Sequence, residues 1–153
     1  MAARKPKAEP AAPLPNSARG ELAIVLEGQS YLLLPTFQAA GQIEAATGKS
    51  LKELALAADD GSLRLDQAGI IVAAALRAAA AENGLHPGNI RDAGIAERIY
   101  QEKGGVLIAT RTTIGPMLRG MLLGAYDASG KAKAAEMTTG TTTRTTSAPG
   151  SAA

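Results

Sequence analysis

The most informative segment for the architecture is QAGIIVAAALRAAAAE, residues 67–82. It is apolar on nearly every face of a helix, a pattern typical of a helix at the centre of a domain. Its many alanines allow neighbouring elements to approach closely. The charge of Arg77 and the short length argue against a transmembrane helix, which needs about 20 apolar residues. The sequence therefore predicts a central helix over 67–82, with Asp66 as its N-terminal cap.

A β-hairpin is predicted ahead of this helix. Apolar residues alternate along 22–26, and a second apolar run covers 31–34. The two runs flank Glu27-Gly28-Gln29, and short β-prone runs around a glycine turn are typical of a hairpin.

A first helix is predicted directly after the hairpin, over 37–46. Thr36 is well placed to cap its N-terminus, and Gly48 suits the left-handed residue after its end. The spacing places three apolar side chains near one face, namely Phe37, Ala40 and Ile43.

A second short helix begins after Ser50. Ser50 and Glu53 have capping-box spacing, and Asp59-Asp60-Gly61 ends the helix. Two alternatives are disfavoured by spacing. The Gly48-Lys49-Ser50 tripeptide lacks the earlier glycine of a phosphate-binding loop, and the Asp-Asp-Gly run lacks the alternating ligands of a calcium loop.

Two further helices are predicted after the central one. The first runs from a cap at Asn89 to about Lys103, and the last starts near Val106. Gly115-Pro116 falls inside the last helix and predicts a kink or a split. The fold class is therefore α+β, an N-terminal hairpin followed by four or five helices.

The last helix carries an apolar stripe at spacings of three, four and seven residues. Such a stripe packs into its own domain or receives a partner helix, and the spacing alone does not decide between them. The candidate partner-binding residues on it are Leu107, Ile114, Leu118, Met121 and Leu122.

Composition divides the 153 residues into a folded domain and two tails. Residues 1–19 are rich in Ala, Pro and basic residues, residues 131–153 are rich in Thr, and both tails are predicted to be disordered. The tails carry net charges of +3 and +2, so the domain at 20–130 carries −3 although the whole chain carries +2. Because no basic cluster lies in the domain, specific nucleic-acid binding is not expected.

Few residues suited to catalysis or metal binding are present. The chain has no cysteine and one histidine, His86, which excludes disulfides, thiol nucleophiles and multi-histidine metal sites. No motif places a nucleophile beside His86, although a lone histidine can act as a base. Glu97 and Glu102 are expected on a solvated helix face. No cofactor, metal or enzymatic activity is predicted, and a small enzyme using His86 is the alternative.

The order of features from Gly20 to about Gly130 resembles the gene transfer agent family of small tail proteins, which is related to the tail assembly chaperones of siphophage-like tails. The resemblance lies in the hairpin, in Pro35-Thr36-Phe37, in the run from Ile43 to Leu51, and in residues 70–78 of the central helix.

The resemblance implies a non-enzymatic role in the bacterial cytoplasm. Chaperones of this class bind the helical tape measure protein, and in some cases other tail proteins, before the tail tube polymerises. A structural tail tube or tail completion protein is the alternative within the same family. No membrane association is expected in either case.

Overall fold

The computed structural model describes residues 22–84 and 89–133. In these residues a two-stranded hairpin is followed by five helices, the last built from three segments, so the predicted α+β class is confirmed. The predicted tail at 1–19, residues 134–153 of the predicted tail at 131–153, and His86 lie outside the described residues. The described fold reaches Lys133, three residues past the predicted boundary at 130.

The strands are β1 (Leu22–Leu26) and β2 (Gln29–Leu33). The helices are α1 (Phe37–Thr47), α2 (Leu51–Asp60), α3 (Leu65–Glu82), α4 (Asp92–Gln101), α5 (Gly105–Ala109) and α6 (Gly115–Leu122). A π-helical turn (Thr110–Ile114) joins α5 to α6 with right-handed helical backbone at both junctions.

A two-residue turn closes the hairpin. Glu27 and Gly28 have φ values of 54° and 78°, as a type I′ turn requires. Because the turn is so tight, β2 begins at Gln29, two residues earlier than the sequence predicts. The alternation along β1 is confirmed, since Ile24 and Leu26 are buried and Val25 is exposed.

Helix α3 lies at the centre of the core, as predicted. Ile71 and Val72 are fully buried, together with the alanines that follow them. The alanine side chains are small enough to let another segment of backbone reach the helix directly. The Leu34 amide donates to the Ala75 carbonyl at 3.1 Å. The end of β2 is therefore joined to the middle of the central helix.

Helices α3 and α4 cross at Gly69. A Cβ atom at this glycine would lie 2.7 Å from both the Ala96 Cβ and the Asp92 carbonyl oxygen. Beside the crossing, Arg77 donates to the Asp92 carboxylate at 2.9 Å and to the Ile90 carbonyl at 3.0 Å. The one charged residue in the interior of α3 thus has partners for its guanidinium.

The caps of the first two helices are confirmed. Thr36 Oγ1 accepts the Ala39 amide at 2.9 Å, and Gly48 is left-handed with φ 68°. Ser50 Oγ accepts the Glu53 amide at 3.1 Å, while the Glu53 carboxylate accepts the Ser50 amide at 2.8 Å. These interactions explain the Gly-Lys-Ser tripeptide as a junction between two helices.

The predicted caps of the next two helices are wrong. Helix α3 begins one residue before Asp66, because the Gln67 side chain accepts the Arg64 amide at 3.1 Å and satisfies the helix start there. Helix α4 begins at Asp92, so Asn89 lies outside it. Both helices instead carry an aspartate in the first turn, where the helix dipole favours a negative charge.

Ser50→Ala is expected to lower the free energy of unfolding by about 1 kcal/mol, because the Glu53 amide loses its acceptor. Ser50→Asn supplies another cap oxygen and should stay close to wild type. Urea denaturation of the two variants checks this. Equal losses in both variants would show that the cap does not stabilise the domain.

Candidate functional site

A mainly apolar cleft of about 540 Å³ lies on the described surface and is here named the α1 cleft. Helix α1 forms one wall, and the start of α2, the end of α6 and residues 126–128 form the rest. Its lining residues are Pro35, Thr36, Phe37, Ala40, Gly41, Glu44, Leu51, Met121, Tyr126, Asp127 and Ala128.

Helix α1 presents one stripe to this cleft. Phe37, Ala40, Gly41 and Glu44 are spaced by three, four and seven residues, so they share a helix face. The Phe37 side chain is 79% exposed, and a Cβ atom at Gly41 would meet nothing within 4 Å. The stripe is therefore an open surface with an aromatic residue at one end and a carboxylate at the other.

The predicted packing of α1 is wrong in part. Its buried residues are Ala39 and Ile43, whereas Phe37 points outward. Because 39 and 43 are four residues apart, they form the narrow face that meets the core, and the α1 contacts are mainly with α3. Phe37 and Ala40 belong to a neighbouring face that no described element covers.

A C-terminal turn, residues 125–133, supplies the opposite wall. The Ala128 carbonyl accepts the Phe37 amide at 3.0 Å, and the Lys133 amide donates to the Ala125 carbonyl at 2.8 Å. Tyr126 packs on Gly120, where an added Cβ would lie 2.5 Å from the ring. These contacts fix the turn against α6 and the start of α1.

Asp127 organises this turn. Its Oδ1 accepts the Ser129 hydroxyl at 2.6 Å and the amides of Ser129 and Lys131, each at 3.0 Å. The Ser129 side chain and then the Lys131 amide hold the pKa of the Asp127 carboxyl below its ordinary value. Burial raises the pKa of the Tyr126 phenol, which stays neutral at physiological pH.

The C-terminal turn is expected to weaken in acid. Since the folded pKa of Asp127 is lowered, its stabilising contribution is complete above the unfolded value, about 4, and is lost as pH falls through the lower folded value. An NMR titration from pH 6 to pH 2 should shift the Ser129 and Lys131 amide signals with that lowered pKa. Asp127→Asn should remove this titration, and its persistence in that variant would contradict the assignment.

The structure separates the five predicted partner-binding residues. Ile114 and Leu118 have 0% exposure and belong to the core, so they cannot contact a partner docked on this surface. Leu107 and Leu122 are 47% and 44% exposed but do not line the α1 cleft. Met121 is half-buried and does line it.

The π-helical turn explains why Leu107 is separated from Ile114 and Leu118 in the predicted stripe. Gly115 donates to the Thr110 carbonyl five residues back, so one extra residue enters the helix. Pro116 lacks an amide hydrogen and its ring crowds the carbonyl four residues earlier, which a wider turn relieves. The extra residue rotates every later side chain by about 100° relative to Leu107, so the α-helical spacing does not carry across the turn. At the predicted kink or split, Gly115-Pro116, the helix therefore continues and is widened by the π-helical turn just before it.

A second groove of about 220 Å³ lies between β1 and the α5 segment. The Glu102 carboxylate accepts the Glu27 amide at 2.7 Å at one end, and Thr113 Oγ1 donates to the Ala23 carbonyl at 3.5 Å nearer the other. Glu102 therefore holds the hairpin turn, whereas the sequence predicts it on a solvated face. Glu97 is exposed as expected.

Within 22–84 and 89–133, no three His, Cys, Asp or Glu residues form a group able to hold a metal ion. In the same ranges no helix has both the length and the apolar character of a membrane span. The chain matches no protein-family profile, no curated protein and no solved structure.

Proposed function

We propose that this protein is a tail assembly chaperone of a phage-like particle, either a gene transfer agent or a prophage tail. It binds the tape measure protein, and in some cases other tail proteins, in the bacterial cytoplasm before the tail tube forms. It needs no cofactor and catalyses no reaction. The sequence resemblance over residues 20–130 is the origin of this proposal.

The observation that carries the proposal is the open apolar α1 cleft with Phe37 exposed at its rim. A phenylalanine that is 79% exposed buries little of its surface on folding, and exposed apolar clusters commonly mark interaction surfaces. Leu122 and Leu123 directly follow Met121 and are also exposed. Helix α1 and the end of α6 therefore supply apolar surface to a partner.

A cleft of this size suits a chaperone's requirements. A tape measure protein carries apolar stripes on long helices, and these stripes need cover until the tube encloses them. About 540 Å³ admits a few side chains of a client helix, not a whole domain. Such limited burial supports binding that is reversible, as displacement during tail assembly requires.

Co-expression tests the proposal. The protein is expressed with the tape measure protein of the same particle, and the soluble fraction and co-purified complex are compared with expression of the tape measure protein alone. Increased solubility together with a complex supports the chaperone function. An unchanged solubility and no complex would rule it out.

The alternative, a structural tail tube or completion protein, makes a different prediction. Mass spectrometry of purified particles would then find this chain at the copy number of stacked rings. A tube built from edge-to-edge sheets would also use more strand than the two short strands described here. A chaperone is instead expected to be absent from finished particles or present only in traces.

A further inference from the structure

We propose that the α1 cleft selects an amphipathic helix whose apolar stripe is flanked by lysine or arginine. This inference rests on the proposed function, because it specifies the chemistry of the client segment. It follows from the charges at the cleft, from the size of the side chains on its floor, and from the hydrogen-bonding state of its walls.

The charged groups that line the cleft are all acidic. Glu44 ends the exposed stripe of α1, and Asp127 lies in the facing C-terminal turn. Among the described residues no lysine or arginine lines the cleft, and Glu44 forms no salt bridge with any of them. Asp127 Oδ1 is already used within its own turn, close to Lys131, so Glu44 is the main acidic group offered to basic groups beside a client's apolar stripe, and it would repel acidic ones.

The floor of the cleft is shaped for the ridge of another helix. Ala40 has a small side chain and Gly41 has none, and both lie between the larger Phe37 and Glu44. A Cβ atom added at Gly41 would meet no atom within 4 Å. Small residues flanked by larger ones form the kind of groove into which the side chains of a facing helix pack.

The walls favour a helix over an extended segment. An extended peptide adds to a sheet edge by pairing its backbone groups, but neither β1 nor β2 lines the cleft, whose helical residues come from α1, α2 and α6. The backbone groups inside these helices are already bonded within each helix. A client helix satisfies its own backbone in the same way, so only its side chains need partners in the cleft.

Two synthetic helical peptides test the inference, with the same apolar stripe and with either lysine or glutamate at the flanking positions. Fluorescence anisotropy with the full chain should show about threefold tighter binding of the lysine peptide at low salt, because one exposed ion pair contributes modestly. Added salt should reduce the preference.

Variants of the protein test whether the preference for the lysine peptide arises at the α1 cleft. Glu44→Lys should remove or reverse the preference, whereas Glu97→Lys, an exposed site on α4 outside the cleft, should keep it. Gly41→Leu should abolish binding of both peptides by filling the cleft. Equal affinities for the two peptides, equal effects of the two lysine variants, or no binding of either peptide would each overturn the inference.

These outcomes are distinguishable from failure of the proposed function. A tape measure complex without a charge preference would overturn only the inference about basic flanks. A charge preference for peptides without any tape measure complex would overturn the chaperone function and leave the cleft's selectivity in place.

Discussion

Gly69→Leu is expected to lower the free energy of unfolding by about 3 kcal/mol and the melting temperature by on the order of 10 °C. The cause is the crossing of α3 and α4, where even a Cβ atom would lie 2.7 Å from the Ala96 Cβ and from the Asp92 carbonyl oxygen. The backbone carbonyl cannot rotate away within its helix, so the two helices must separate. Every contact along the central interface is then weakened.

Gly94→Leu is the matched control for this substitution. Gly94 lies on α4, is exposed, and has no atom within 4 Å of an added Cβ. Leucine favours a helix more than glycine does, so this variant should be stabilised by roughly 0.5–1 kcal/mol. Thermal and urea unfolding of both variants make the comparison. Similar stability of the two would contradict the close crossing at Gly69.

Leu118→Ala is expected to cost about 2–5 kcal/mol of unfolding free energy, because it removes a fully buried side chain and leaves a cavity. Leu122, one helical turn later on α6, is 44% exposed, and Leu122→Ala should cost less than about 1 kcal/mol. The two residues have the same chemistry and lie on one helix. Their difference therefore reports burial alone.

Urea denaturation measures both leucine variants, and client binding provides the complementary readout. A large loss for Leu118→Ala and a small one for Leu122→Ala would place the first in the core and the second at the surface. Equal losses would mean that α6 is oriented differently, and that Leu118 belongs to an exposed stripe after all.

Much of the fold can be predicted from patterns among residues that are close together in the sequence. The alternation along β1, the hairpin turn around Gly28 and the caps at Thr36 and Ser50 each depend on a few neighbouring residues, and each is confirmed. The all-apolar character of α3 also identifies the central helix correctly. These features need no information on how the helices pack.

The features that escape prediction depend on tertiary structure. The start of α3 is set by the Gln67 side chain, which competes successfully with Asp66 as the source of a cap. The π-helical turn before Pro116 shifts the helical register, so a stripe drawn with α-helical spacing mixes core and surface residues.

The α1 cleft is likewise assembled from distant parts of the chain. A three, four and seven spacing of Phe37, Ala40, Gly41 and Glu44 was a usable signal for one wall. The other wall depends on the docking of residues 125–133, which local sequence does not reveal. Sequence alone predicts that Phe37 is buried. Its exposure is evident only from the structure, in which Ala39 and Ile43 form the buried face of α1.

We propose that the α1 cleft binds the tape measure protein, a claim that co-purification with matched glycine variants can test. Gly41→Leu fills the cleft, and Gly94→Leu makes the same change on the exposed surface of α4. Neither is expected to lower the melting temperature. Wild type and Gly94→Leu should recover the tape measure protein in equal yield, while Gly41→Leu should lose it. Recovery by Gly41→Leu equal to that by Gly94→Leu would contradict the claim.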